Sequence, residues 1–281
     1  MPERIDAHHH LWRYSQEEYD WIGPGMEAIA RDFLPDGLKS ELEACGVSGS
    51  VVVQARQTLA ETDWLLGLAE KSPWIRGVVG WAPIADRNFS AILEKLRTSR
   101  KLKGLRHIIQ AEPDEEFILR QEFGAGIKAL SGSGLVYDIL IYERHLPAAI
   151  RFVDRHPNQV FVLDHLAKPR IKERLLEPWR TQVLELAKRE NLYCKLSGMV
   201  TEADWTEWTA SDLRPYVHVA LEAFGPARLM YGSDWPVCLL ASKYDRWYRT
   251  AEHLLSGLSE SEKKLVLGGV ANRIYSLDAV E

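Results

Sequence analysis

What most constrains this chain is a rhythm. Eight short apolar runs rich in β-branched residues recur along it, and longer amphipathic stretches separate them. The runs fall at 4–8, 50–54, 75–81, 103–109, 136–141, 160–164, 192–196 and 229–232. Most show little polar/apolar alternation, as parallel strands buried on both faces do. Helical patterns occupy 59–71, 89–97, 115–131, 145–156, 173–190, 211–224 and 244–255, with start signals such as Thr58, Asn88 and Asp114. Eight βα units in about 270 residues predict a single (β/α)8 TIM barrel over 1–281. A doubly wound open sheet would usually carry a glycine-rich turn after an early strand, and none is present.

Two segments fall outside the repeat. Residues 12–33 hold Trp12, Tyr14, Tyr19, Trp21, Gly23, Pro24 and Gly25. They are too irregular for a plain helix and predict a long first βα loop. In a barrel such a loop lies on the active-site face, where its aromatics either wall the pocket or pack on the rim. Residues 259–277 predict one or two closing helices.

Charge and cysteine content narrow the function. Lys plus Arg total 35 against 40 Asp plus Glu, a net charge of −5 with the signs interspersed. Nothing in that pattern recruits nucleic acid or an anionic membrane. Cys45, Cys194 and Cys238 are too few and too scattered for a disulfide framework, and there is no CxxC pair. No stretch approaches spanning length, and 1–8 lacks the apolar run of a signal segment. The expectation is a cytoplasmic protein with a small-molecule partner.

The chemistry-bearing residues cluster at strand ends, where barrel enzymes keep their catalytic groups. Alternation in the first strand puts His8 and His10 on one face and His9 on the other, so two imidazoles converge as a metal or acid/base pair. The sixth run ends in Asp164 and His165. Pro236 must terminate the eighth, leaving Asp234 at the barrel mouth. Either acidic residue alone could cap the following helix; beside the histidines they read as a site. Arg106 and His107 alternate, so only one faces the interior; an inward arginine either polarises a carbonyl or forms a wall salt bridge. Lys195, a charge in an apolar strand, either points inward or snorkels outward.

With these residues in view, the chain resembles the amidohydrolase superfamily, its amidohydrolase-2 branch, and within that the sugar-lactonase group, with 2-pyrone-4,6-dicarboxylate lactonases more distant. The matching segments are IDAHHHLW at 5–12, YDWI at 19–22, DFLP at 32–35, KGLRHIIQAEP at 103–113, LDHLAKP at 163–169, KLSG at 195–198 and YGSDWPVC at 231–238. They cover essentially the whole chain; the combination is specific, though no single piece is.

The resemblance implies hydrolysis of a small sugar lactone, such as a fucono- or rhamnonolactone, to the aldonic acid by activated water, a step of carbohydrate catabolism. It implies Asp234, His165 and Arg106 as catalytic groups and Trp21, His107, Gln110, Lys195 and Trp235 as substrate contacts. It also implies at most one divalent metal, zinc by ligand type, on His8, His10, His165 and Asp234. Binuclear relatives carry a lysine or acidic bridge on the fourth strand and a histidine on the fifth. Here the fourth strand ends in Arg106, His107 and Gln110, and the fifth offers Tyr137 and Asp138. Related lactonases manage without tight metal dependence, so the same four groups could serve as a metal-free proton-transfer set. The rival readings are a metal-dependent amide hydrolase or decarboxylase acting on a small carboxylate, and a barrel that binds a sugar acid without turnover.

Overall fold

Branched side chains favour extended backbone, and all eight runs form strands: β1 (Ile5–His9), β2 (Gly49–Val53), β3 (Ile75–Gly80), β4 (Leu102–His107), β5 (Val136–Ile139), β6 (Phe161–Leu163), β7 (Leu192–Leu196) and β8 (Leu229–Tyr231). The structure, a computed structural model, describes residues 3–277; residues 1–2 and 278–281 of the expected unit lie outside it. Neighbouring strands pair in parallel in the order β1 to β8. The ring closes just beyond β8, where His9 bridges Trp235. Two backbone hydrogen bonds make that seam, Asp234 N to His8 O at 2.8 Å and His10 N to Trp235 O at 2.6 Å. The expected (β/α)8 barrel is therefore the observed one.

The helices are α1 (Pro35–Ala44), α2 (Leu59–Lys71), α3 (Phe89–Leu96), α4 (Gln121–Leu130), α5 (Leu146–Arg155), α6 (Trp179–Leu186), α7 (Met199–Glu202), α8 (Ala210–Phe224), α9 (Tyr244–Leu254), α10 (Glu260–Lys264) and α11 (Val270–Ile274). The structure differs from the sequence reading in three places. The expected helix 115–131 breaks at Arg120 (ψ 142°), which separates α4 from a short 3-10 turn, Phe117–Leu119, whose Phe117 stacks on His107 at 5.1 Å. The expected helix 173–190 begins only at Trp179, since Pro178 supplies no N–H to an earlier turn. Helices α1 and α7 were not anticipated: α1 sits directly behind the irregular first loop, and α7 is a single turn.

Inside the barrel the side chains lie in layers. Ile5, Ala7, Val51, Val53, Val79, Val136, Val162 and Met230 form an apolar floor, plugged from below by Val270, Ala271, Tyr275 and Leu277. A register shift between Asp6 and His9 carries the inward side of β1 from Ile5 and Ala7 to His8 and His10, the re-aiming that a bulge performs beside a site. Outside, the first loop is pinched shut by reciprocal backbone bonds between Trp12 and Phe33, both 2.9 Å. Trp12 and Tyr19 are buried in it. Among the described residues no helix is long and apolar enough to cross a membrane.

Helix α4 offers a clean packing test. A Cβ on Gly126 would lie 2.0 Å from the Ile84 carbonyl oxygen, whereas one on Gly124 would meet nothing nearer than 3.5 Å. Gly126→Ala should therefore destabilise by about 1–3 kcal/mol, occasionally more. Gly124→Ala should be neutral or stabilise by up to about 1 kcal/mol. Denaturant unfolding of the two variants checks the pair.

Candidate active site

The seam that closes the barrel also builds its mouth. Asp234 takes a left-handed conformation (φ 58°) and points its carboxylate at three imidazoles. Its Oδ1 lies 3.3 Å from His10 Nε2, 3.7 Å from His8 Nε2 and 3.9 Å from His165 Nε2. His8 and His10 face each other, Nε2 to Nε2, at 3.2 Å, as strand alternation requires. His9 turns outward to the Ser50 hydroxyl at 2.9 Å.

His165 reaches this point by an unusual backbone. His165, Leu166, Ala167 and Lys168 have φ of 53°, 54°, 58° and 52°, four consecutive non-glycine residues in a region that costs roughly 1–2 kcal/mol each. The turn is pinned by the Trp179 indole N–H donating to the Leu166 carbonyl at 2.7 Å. Gly198 leaves the room His165 needs, for a Cβ there would sit 2.6 Å from its ring. His165 Nδ1 is held by the Ser197 hydroxyl at 2.8 Å.

Beneath the imidazoles lies a buried ionic layer. Lys195 Nζ contacts Asp138 Oδ2 at 2.5 Å, Asp164 Oδ1 at 3.0 Å and His8 Nδ1 at 3.1 Å. Arg106 donates from Nη1 to Asp164 at 2.9 Å and from Nη2 to the Gln54 carbonyl and side chain. Tyr275 donates to Asp138 from below at 2.8 Å. Two cations thus face two carboxylates. Burial alone would raise the Asp164 carboxyl, but Lys195, His8 and Arg106 outweigh it and hold it well below the ordinary range. Burial raises Asp138 against the pull of Lys195, whose ammonium, 2.5 Å away, is its counter-ion. Burial, reinforced by Lys195, keeps His8 neutral, and burial lowers His165 to about 4. For Asp234 burial acts upward, yet His165, His10 and Lys168 together leave it below its usual value and charged.

The hydrogen bonds assign protons. His10 Nδ1 donates to the Val53 carbonyl at 2.8 Å, so its Nε2 carries a lone pair. If Lys195 donates to His8 Nδ1, His8 Nε2–H can donate to His10, and the ring nitrogens of His8 and His10 are satisfied without an ion. If His8 Nδ1–H turns instead to Asp164 Oδ1, 3.4 Å away, its Nε2 lone pair joins those of His10 and His165. That second state presents three imidazoles and a carboxylate, a set suited to one zinc ion, and His8, His10 and Asp234 lie close enough to share one.

The other expected residues fall differently. Arg106, not His107, faces the interior. Its terminal nitrogens are committed to Asp164 and Gln54, and it is 2% exposed. His107 turns to Glu112 at 2.7 Å and stacks on Phe117. Lys195 lies fully buried in the ionic layer rather than at the mouth. Trp235 packs edge-on to Phe33 at 5.0 Å, beside Gly37. Trp21 is 39% exposed and stands edge-on to Trp12, which itself stacks on His10. Gln110 lies in a short turn after β4 with a buried, unpartnered Oε1. Sequence reasoning read Asp164 as a strand-end site candidate without its partners, noted Asp138 only as an acid on the fifth strand, and assigned no role to Gln54, Ser197 or Tyr275. An inward charge on β7 was the one available signal, since a buried lysine demands carboxylates nearby.

The amidohydrolase family model (Amidohydro_2) matches residues 5–277. An L-fucono-1,5-lactonase of Burkholderia multivorans is 43% identical over 285 residues, covering 98% of this chain and 96% of its own. An L-fucono-1,5-lactonase of Burkholderia ambifaria is 35% identical over 282 residues, covering 99% and 97%. The crystal structure of an amidohydrolase from Burkholderia multivorans with bound zinc superposes with a TM-score of 0.95 at 42% identity, covering 98% of this chain and 100% of that one.

The charge balance of the ionic layer is open to a double-mutant test. Lys195→Met should cost about 3–5 kcal/mol in urea unfolding by leaving two carboxylates against one cation. Adding Asp138→Asn restores one against one, and the double variant should be more stable than the single. A double variant no better than Lys195→Met would show that the layer is not held by charge balance.

Proposed function

The chain belongs to the amidohydrolase family, in its Amidohydro_2 branch, and on that premise we propose that it hydrolyses a sugar lactone of the fucono-1,5-lactone type to the open aldonic acid. The observation that carries this reading is the convergence of His8, His10 and His165 on the charged Asp234 carboxylate at the barrel mouth. A lactone is an activated ester. It needs a base for water and modest stabilisation of the oxyanion rather than a strongly activating binuclear centre.

Asp234 is the base. Its depressed pKa keeps it ionised, and it accepts the proton of the water that attacks the lactone carbonyl. As the tetrahedral intermediate collapses, the same group, now a strong acid, returns that proton to the departing ring oxygen. His165 stays neutral, oriented by Ser197, and borders the attacking water. Arg106 works through its neighbours: it holds Asp164 and His8 in place and adds a fixed positive field beneath the developing oxyanion. Trp21 stands on the loop side, separated from His10 by Trp12.

We assign any ion to His8, His10, His165 and Asp234. When bound it would act as a Lewis acid that lowers the pKa of water and polarises the carbonyl. The second donor group, His8, Asp164 and His165, already meets Arg106 and Lys195, so those cations stand where another ion would compete. This supports a content of at most one ion per chain. The proton arrangement in which Lys195 donates to His8 supports an enzyme that works without it.

Two measurements test this. Asp234→Asn should lower kcat by about 10²- to 10⁴-fold, with far-UV circular dichroism unchanged; near-normal turnover would move the base elsewhere. After exhaustive chelation the enzyme should keep most of its activity on L-fucono-1,5-lactone. Complete loss, with recovery on one equivalent of zinc, would make the ion essential.

A further inference from the structure

The left-handed turn that delivers His165 delivers a second group, which the reaction above leaves unused. A helix with three residues per turn brings i and i+3 to the same side, so Lys168 comes round beside His165. Its Nζ stands 3.8 Å from Glu202 Oε1, too far for a direct hydrogen bond, and 5.3 Å from the centre of the Tyr142 ring. The two charged side chains are only 18% and 23% exposed. Tyr142 follows β5, Lys168 follows β6 and Glu202 lies in α7 after β7, so three consecutive strands contribute one wall of the mouth. The wall borders the reacting centre: the Lys168 N–H donates to the His165 carbonyl at 2.8 Å, and α7, which carries Glu202, starts directly after Gly198, the residue packed against the His165 ring.

We propose that Lys168, Glu202 and Tyr142 form the subsite that reads the ring hydroxyls of the substrate. The proposal rests on the lactonase reading and adds to it the feature of the lactone that is recognised. Vicinal hydroxyls both donate and accept. A carboxylate takes their protons and an ammonium donates to their oxygens, while the Tyr142 ring, which also has the Arg144 guanidinium 4.8 Å from its centre, steadies the ammonium. Separation of the ammonium from the carboxylate leaves both with bonding capacity for a hydroxyl. Glu202 at the same time repels a ring that carries a carboxylate, which sets a polyhydroxy lactone apart from an acidic one.

The test is steady-state kinetics of the wild type, Lys168→Met and Glu202→Gln on L-fucono-1,5-lactone and on δ-valerolactone, which has no ring hydroxyls. Each variant should raise KM for the sugar lactone by about 10- to 100-fold, the loss expected for a charged hydrogen bond; kcat should stay within about threefold in Glu202→Gln, while Lys168→Met, which also removes a charge that holds Asp234 down, is read on KM. The ratio of kcat/KM for the sugar lactone over δ-valerolactone should fall accordingly. A loss confined to kcat, or a ratio within twofold of wild type, overturns the subsite. If the wild type turns over neither lactone, the lactonase reading fails instead. Because the two substitutions lie on separate elements, misfolding of one, seen by thermal melting, leaves the other to decide.

Discussion

Everything at the mouth depends on the seam between β1 and the end of β8. Eight parallel strands make a cylinder only if the last meets the first, and here two backbone hydrogen bonds and the side chains of Asp6 and Ser233 make the join. The Asp6 carboxylate accepts from Ser233 N, His8 N and Tyr244 OH, bonding that substitutes for a longer ladder. One of the seam's backbone donors is the N–H of Asp234 itself. Closure of the fold and placement of the base are one contact, formed between residues more than two hundred positions apart. Local flexibility that would blur the Asp234–histidine geometry would also open the barrel.

The ionic layer below has a different logic. A buried set of two cations and two carboxylates is rarely the most stable filling for a core, since apolar residues of equal volume often do as well or better. What such a layer supplies is rigidity and a defined proton arrangement. His8 is held from beneath by Lys195, Asp164 and Arg106, so its ring orientation does not depend on an ion above it. Tyr275 extends the same network to the plug at the far end of the barrel, which ties the carboxy-terminal segment to the mouth through Asp138.

The strands were legible because buried parallel strands have few alternatives: branched apolar runs of that length and spacing fit little else. His8 and His10 followed from the period of two, which holds between these two residues although the register shifts between Asp6 and His9. The competition between Arg106 and His107 was legible as a competition and needed the register to resolve it. Other features were beyond pattern reading. Helix α1 was masked by the aromatic loop before it, and the break at Arg120 leaves Phe117 in a separate turn whose tertiary contact with His107 no local propensity encodes. The partners of Lys195 come from β5 and β6, strands that each show one acidic residue and no sign of which way it points. Lys168 and Glu202 were invisible as a pair because only the left-handed turn after β6 brings them together.

That turn also limits how the protein can diverge. An insertion or deletion within 164–168 would rotate His165 and Lys168 together, so the chemistry and whatever the ammonium contacts cannot be altered separately there. The loop after β5 carries no such linkage, and in the segment after β7 the linkage to His165 runs through Ser197 and Gly198 rather than Glu202. Tyr142 and Glu202 can be exchanged while the imidazole stays in register. Variation among lineages that adopt new substrates should therefore accumulate in those two loops, with the turn between them inherited as a block.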